Sequence, residues 1–395
     1  MNILLIDDDT FILKIIHQQL TNLGFHKITA VDNPANALAM LEETGNTFDI
    51  LLLDLQMPGI DGVEFIRHLD RLEYPGGVVL ISGQDERILL TAKRLASSQN
   101  LRVLGALHKP VTPSQLDKVL KHIPDKANNL PRKIYGREAL QNGLDRHELI
   151  NHYQPQIDMH SGRFIGVETL VRWQHPHDGL VFPDQFIGTA EDHGLIDELT
   201  RQVLMNALQQ GKIWQDAGLR LRLSVNISMD NLDSLDFADY VIKLVEQVNI
   251  PLSDIVLEVT ESRLTKNILA PMDILTRIRL KHIGLSIDDF GTGHSSLVQL
   301  RDFPFDELKI DRGFIHGAHN HSALRAIVEA SLCMAGQLGI RTVAEGIEDL
   351  ADLLFLKTTS CDLGQGYFIA KPMPAEEILL WMTDWGARRD EVFQS

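Results

Sequence analysis

The pair Asp288-Asp289 closes a short run, Leu285 to Asp288, in which apolar and polar residues alternate, and Gly291 and Gly293 follow it. Alternation marks a strand, and at a strand end the twist and the turn can aim both carboxylates into one pocket. Adjacent ionised acids repel, so a buried pair calls for a cation. Oxygen ligands of this kind suit hard divalent ions such as Mg2+. The pair has company. Glu168, Asn226, Glu258, Lys309, Asp311, Glu345 and Gln365 each stand in or at the end of another strand-like run. So many carboxylates on one rim would be untenable without metal. Two Mg2+ or Mn2+ ions a few ångström apart would relieve the repulsion and clamp a phosphoryl group for in-line attack. No Cys or His pattern competes for the metal, since His175-Pro176-His177 has no further ligands at zinc spacing.

A second constellation lies nearer the N-terminus. Asp7 and Asp8 follow the first apolar run, Asp54 ends another, and Ser82 and Lys109 stand just after two more. Asp7 and Asp8 could hold one Mg2+, Asp54 could accept a phosphoryl group, and Ser82 and Lys109 could donate to phosphate oxygens.

These residues need elements to position them. The runs Asn2–Ile6, Asp49–Leu53, Val78–Ile81 and Val103–Leu107 are almost wholly apolar and are separated by helical patterns such as Phe11 to Leu20. Strands of that kind belong to a parallel sheet covered on both faces, which binds ligands at its carboxyl ends. The stretch 123–133, with two prolines, two adjacent asparagines and several charges, has the composition of a linker. Beyond it a helix over Arg137–Arg146 leads into strands at Tyr153–Ile157 and Phe164–Trp173, with Asp158 to Gly162 as the turn. Further strands follow at Leu221–Asn226, Ile255–Glu258, Leu285–Asp288, Glu307–Ile310, Thr342–Glu345 and near Gln365. Their spacing of about 20 to 36 residues fits a strand, a helix and their loops, so the count approaches the eight strands of a (β/α) barrel. Polar residues at the carboxyl ends of barrel strands read as catalytic.

Composition narrows the setting. The chain has 395 residues, 44% hydrophobic and 23% charged, with a formal charge of −17. That balance argues against a nucleic-acid or anionic-membrane surface, and no DNA-binding motif is present. Cys333 and Cys361 have no metal spacing and read as free thiols of a reducing compartment. No apolar run approaches a membrane span and the N-terminus is no signal peptide, so a cytoplasmic protein is expected.

Residues 1–122 resemble the receiver domain of bacterial response regulators, on Asp54-Leu55-Gln56-Met57-Pro58-Gly59, Asp61-Gly62 and Lys109-Pro110. Residues 134–390 resemble the EAL family of cyclic di-GMP phosphodiesterases. Here the motifs are Glu168-Thr169-Leu170 with Arg172-Trp173, Val225 to Ser228, Glu258 to Glu261, Asp288 to Gly293, Lys309-Ile310-Asp311, Ala344 to Glu348 and Gln365-Gly366-Tyr367. The combination resembles the REC–EAL response regulators.

The resemblance implies an α/β chain: a doubly wound (βα)5 receiver, a linker over 123–133, then a TIM-like (β/α)8 barrel with one antiparallel strand. It implies hydrolysis of cyclic di-GMP to linear 5′-pGpG, supported by Mg2+ or Mn2+ and inhibited by Ca2+. Glu168, Asn226, Glu258 and Asp288 would hold one ion, and Asp288 would bridge to a second held by Asp289 with Glu345 nearby. Lys309 or Glu345 would act on the attacking water, with Asp311 beside them. Gln154, Arg172 and Gln365 would contact substrate, and Glu261 and Glu348 would brace the loop after Asp289. Phosphorylation at Asp54 by a sensor histidine kinase, a usually cis Lys109-Pro110 bond, and a homodimer or higher homo-oligomer complete the expectation. The sequence departs from the pattern at Thr169 (for alanine), at Ala106 (for an aromatic switch residue) and at His294 (where an aromatic is common). A cyclic di-GMP receptor without turnover would lack one of Glu168, Asn226, Glu258, Asp288, Lys309 or Glu345, and none is missing.

Overall fold

The computed structural model describes residues 1–43, 47–84, 86–99, 101–121, 133–260, 269–291 and 296–393. The chain divides into two compact units, Met1–Pro131 and Arg132–Ser395. Of the stretch expected as a linker, only Lys133 is among the described residues.

The first unit is a parallel sheet of five strands, β1 (Asn2–Ile6), β2 (Lys27–Val31), β3 (Ile50–Asp54), β4 (Gly77–Ser82) and β5 (Arg102–His108), in the order β2-β1-β3-β4-β5. The continuous apolar runs follow from this topology. Leu4, Ile6, Leu51 and Leu53 pack into the core on one face, while Ile3, Leu5, Ile50 and Leu52 pack into the core on the other. Successive side chains point to opposite faces, so a strand covered on both sides is apolar at every position. β2 is the exception. Its Lys-Ile-Thr-Ala-Val run is half exposed at the sheet edge, which removes the pattern that reveals the other strands and explains why it does not stand out in the sequence. The Lys109-Pro110 peptide is cis.

The second unit is a barrel. Eight strands close a ring: β6 (Leu149–Asp158), β7 (Phe164–His175), β9 (Arg222–Ile227), β10 (Ile255–Thr260), β11 (Gly284–Phe290), β12 (Glu307–Ile310), β13 (Arg341–Ala344) and β14 (Leu363–Gly364). β6 runs antiparallel to both of its neighbours, β7 and β14, and is the one reversed strand of the ring. β8 (Gly179–Val181) hangs outside the ring as a hairpin partner of β7. Helices return the chain between the parallel strands. The longest, Ile196–Asp216, buries Leu199, Val203, Leu204, Ala207 and Leu208, the three-and-four spacing of an amphipathic helix lying on a sheet. Each fully buried leucine there contributes about 1.5–3 kcal/mol. Among the described residues no helix is long and apolar enough to cross a membrane.

Candidate active site

Inward positions on parallel strands recur every second residue, and register lines them up from strand to strand. Glu258 of β10 lies opposite Asn226 of β9 and Ser286 of β11, and Glu168 of β7 lies opposite Ser224. Lys309 sits next to the end of β12, and Glu345 and Gln365 are the first residues beyond β13 and β14. These are the carboxyl ends of the parallel strands, the face on which such barrels carry chemistry. Asp288 and Asp289 reach the site together because the β11–β12 register breaks between Ile287 and Phe290 and Asp289 takes a left-handed φ of 55°. A regular strand would have turned one of them away.

Lys309 is at the centre. Its fully buried Nζ lies 2.7 Å from Glu258 Oε2, 2.7 Å from Glu345 Oε1, 3.2 Å from Asp288 Oδ1 and 3.5 Å from Glu168 Oε1. The acids therefore are not held against bare repulsion. An ammonium carries part of the compensation. These carboxylates hold the lysine's pKa well above its ordinary value although burial alone would lower it. Amides complete the arrangement. Asn226 donates to Glu168 Oε1 at 2.9 Å, and Gln365 donates to Glu168 Oε2 at 2.6 Å and to Glu345 Oε1 at 3.1 Å. Gln156 Nε2 donates to Gln365 Oε1 at 2.9 Å. Burial pushes the Glu168 carboxyl up, but Lys309 and these hydrogen bonds outweigh it and bring its pKa below the usual range.

One cation does not balance the set. Burial raises Glu258 well above the carboxylate range, aided by the charges of Glu168 and Asp288. Burial and the Asp288 and Glu168 charges take Glu345 to about 8, and burial with Asp288 and Asp311 takes Asp289 to about 6. Glu258 Oε1 is buried without a hydrogen bond. Two ligand groups are preformed: Glu168, Glu258 and Asp288 bring carboxylate oxygens within 4.8 Å of one another, as do Asp288, Asp289 and Glu345. Asp288 belongs to both. An all-oxygen donor set with surplus negative charge and an unpaired buried oxygen fits hard divalent ions.

A cavity of about 240 Å³ opens over these residues, lined by Glu168, Asp288, Glu345 and Gln365, and also by Gln154, Leu170, Arg312, Gly346, Glu348, Gly366 and Tyr367. Gln154 donates to the Ala370 carbonyl at 3.0 Å. Arg172 is not part of this lining; its Nη1 donates to the Val171 carbonyl at 2.8 Å and its guanidinium lies 5.1 Å from the Phe182 ring. Asp311 caps the short helix Arg312–Ile315 by accepting from Gly313 N at 2.8 Å. Glu348 pairs with Arg312 Nη2 at 2.5 Å and lies 3.8 Å from His316 Nε2. Glu261, His294 and residues 292–295 of the loop that Glu261 and Glu348 were expected to brace are outside the described residues. His175 turns its Nδ1 to Asp178 at 3.3 Å and joins no metal-compatible group among the described residues. The sequence reading missed Gln156 and Arg312. For Gln156 the signal was there, because Gln154 and Gln156 are two apart on one strand and share a face.

In the first unit Lys109 Nζ lies 2.7 Å from Asp7 Oδ2 and 3.0 Å from Asp54 Oδ1, and Asp7, Asp8 and Asp54 form a further metal-compatible group. Burial raises the Asp54 pKa against the opposing pull of Lys109. Ser82 is buried and accepts from Gln84 N at 3.1 Å. Asp9 has a separate task, capping the helix Thr10–Asn22 through Phe11 N and Ile12 N. The aspartate run thus splits between chemistry and helix initiation. Ala106 lies on β5 opposite Leu80.

Comparison with known proteins follows the same division. Residues 137–372 match the EAL domain family and residues 3–121 match the response regulator receiver domain. The chain is 31% identical over 384 residues to the cyclic di-GMP phosphodiesterase RocR of Pseudomonas aeruginosa, covering 96% of this chain and 98% of that protein. It is 40% identical over 241 residues to the bifunctional diguanylate cyclase/cyclic di-GMP phosphodiesterase MucR of the same organism, covering 61% of this chain and 35% of MucR. The solved structure of the PaMucR phosphodiesterase in its c-di-GMP complex superposes with a TM-score of 0.58 at 39% identity, covering 61% of this chain and 98% of that one.

Proposed function

The chain belongs to the EAL domain family and carries a response regulator receiver domain ahead of the barrel, and from that premise we propose that it hydrolyses cyclic di-GMP to linear 5′-pGpG under control of phosphorylation at Asp54. The observation that carries this reading is the pair of carboxylate groups sharing Asp288 at the carboxyl ends of the barrel strands. Glu168, Asn226, Glu258 and Asp288 would hold one Mg2+ or Mn2+, and Asp288, Asp289 and Glu345 a second. Bound there, the ions would acidify a water and neutralise charge on the phosphoryl group.

The protein's own residues have distinct tasks. Lys309, an ammonium enclosed by acids, has no lone pair to accept a proton, so it orients water and holds the carboxylates in place. Glu345, whose Oε1 lies 2.7 Å from Lys309 Nζ, is the proton acceptor we assign, and Asp311 holds the start of the short helix after β12 beside the site. Gln365 fixes both Glu168 and Glu345. Gln154 stands on the cavity wall and, with Arg172, is assigned to substrate contact.

In the receiver, Asp7 and Asp8 would hold one Mg2+, a sensor histidine kinase would supply the phosphoryl group, and Ser82 and Lys109 would grip it. Exposed Leu297 and Val298, at 65% and 54%, support self-association as a homodimer or higher homo-oligomer. Two cysteines outside any disulfide support a cytoplasmic setting. The test is turnover of cyclic di-GMP with Mg2+, Mn2+ or Ca2+. Mg2+ demands tighter geometry than Ca2+, so turnover is expected with Mg2+ and Mn2+ and not with Ca2+. Equal rates with Ca2+ would contradict the two-ion site.

A further inference from the structure

Among the described residues lining the active-site cavity, Arg312 is the one cation; four carboxylates, Glu168, Asp288, Glu345 and Glu348, line it as well. A phosphodiester anion cannot approach such a wall without positive charge. Ions held by the carboxylate groups would serve the phosphate being cleaved. A cyclic dinucleotide carries a second phosphate, which needs a positive partner of its own.

Arg312 is prepared for that task. Its side chain is 63% exposed, and Glu348 Oε1 takes Nη2 at 2.5 Å. Its aliphatic stem lies against Gly346, which has a left-handed φ of 67° and where any side chain would run into the Cβ and Cγ of Arg312. Glu348 is itself fastened. Its backbone N donates to the fully buried Asp352 at 3.2 Å, and Asp352 also takes His316 Nδ1 at 2.8 Å, His319 Nδ1 at 3.3 Å and Gly317 N at 3.0 Å. This buried carboxylate ties the segment after β12, which carries Arg312, to the segment after β13, which carries Glu348.

We propose that Arg312 binds the uncleaved phosphate of the cyclic dinucleotide, and that Asp352 is a positioning residue acting through Glu348. The proposal rests on the phosphodiesterase reading. A guanidinium fork suits a phosphate, and an arginine held before binding loses less freedom when the ligand arrives.

The test is calorimetric titration of cyclic di-GMP into the full chain with Ca2+, expected to allow binding without turnover. Arg312→Gln is expected to weaken binding by about 10- to 100-fold, the value of one charge-assisted contact. Arg312→Lys should recover part of the loss, and Asp352→Asn should show a smaller loss in the same direction. Arg301→Gln, which removes an exposed cation outside the cavity, should bind as the parent does. Binding by Arg312→Gln as tight as by the parent and by Arg301→Gln would overturn the assignment and leave the phosphodiesterase reading standing. A parent chain that neither binds nor cleaves the dinucleotide would remove both. Arg312 is exposed, so its result stands even where Asp352→Asn fails to fold.

Discussion

Replacing Lys309 with methionine removes the central charge of the barrel while roughly keeping its length. The Nζ lost faces Glu168, Glu258, Asp288 and Glu345 together, at 2.7 to 3.5 Å and without solvent exposure. Deleting one partner of a buried ion pair costs about 3–5 kcal/mol. At about 2–4 °C per kcal/mol for a unit of this size, the metal-free melting temperature should fall by about 6–20 °C. The acids left behind will have folded-state pKa values raised above their unfolded ones. Their neutral forms are tolerated, so the loss should be smaller at acid pH and should grow as pH rises through the raised values. A divalent ion then meets a more negative site. An ion at about one hundred times its Kd adds about 2.7 kcal/mol, and tighter binding makes the gain larger at the same concentration. Scanning calorimetry with and without Mg2+ is the assay. Lys309→Met should melt lower without metal, gain more from Mg2+ than the parent, and still show no turnover. A variant that melts with the parent in both conditions would refute the assignment of Lys309 as the internal counter-charge.

Glu258→Ala and Asp288→Ala should each lower turnover of cyclic di-GMP by about three powers of ten or more while circular dichroism shows a folded chain, because each removes an ion ligand; turnover near that of the parent would rule the residue out. Metal binding should release protons at neutral pH, since Glu345 is raised to about 8 and Asp289 to about 6 without metal and both must ionise to coordinate it. The affinity for Mg2+ should therefore fall as pH falls through this range, and calorimetry in buffers of different ionisation enthalpy should count the protons. Asp54→Ala should leave basal turnover intact and abolish any response to a phosphoryl mimic, with a coupling on the order of 1–3 kcal/mol in the parent. A response that survives would mean the receiver signals through another residue.

Much of this was legible because strands impose their period on the sequence. Apolar runs ending in Asp7, Asp54, Glu168, Asn226, Glu258 and Asp288 announce both the sheet and the rim on which chemistry collects. What pattern does not carry is the path of a long side chain. That Lys309 would turn its ammonium into the midst of the acids depends on side chains arriving from several strands distant in sequence. Arg312 was hidden for a similar reason: only the fold brings it beside Gly346 and Glu348. β2 was hidden by its place at the sheet edge, where half the side chains face solvent and the apolar run disappears. The sequence reading gave Asp9 no task; the helix that starts at Thr10 takes it as a cap.

The barrel is proposed to hydrolyse a phosphodiester with water. The most direct test is incubation of the purified chain with cyclic di-GMP and Mg2+ in isotopically labelled water, followed by separation and mass analysis of the nucleotides. Linear 5′-pGpG with one labelled oxygen in its terminal phosphate is the expected product. Intact cyclic di-GMP after prolonged incubation, with the dinucleotide bound and not cleaved, would contradict it and make the chain a receptor.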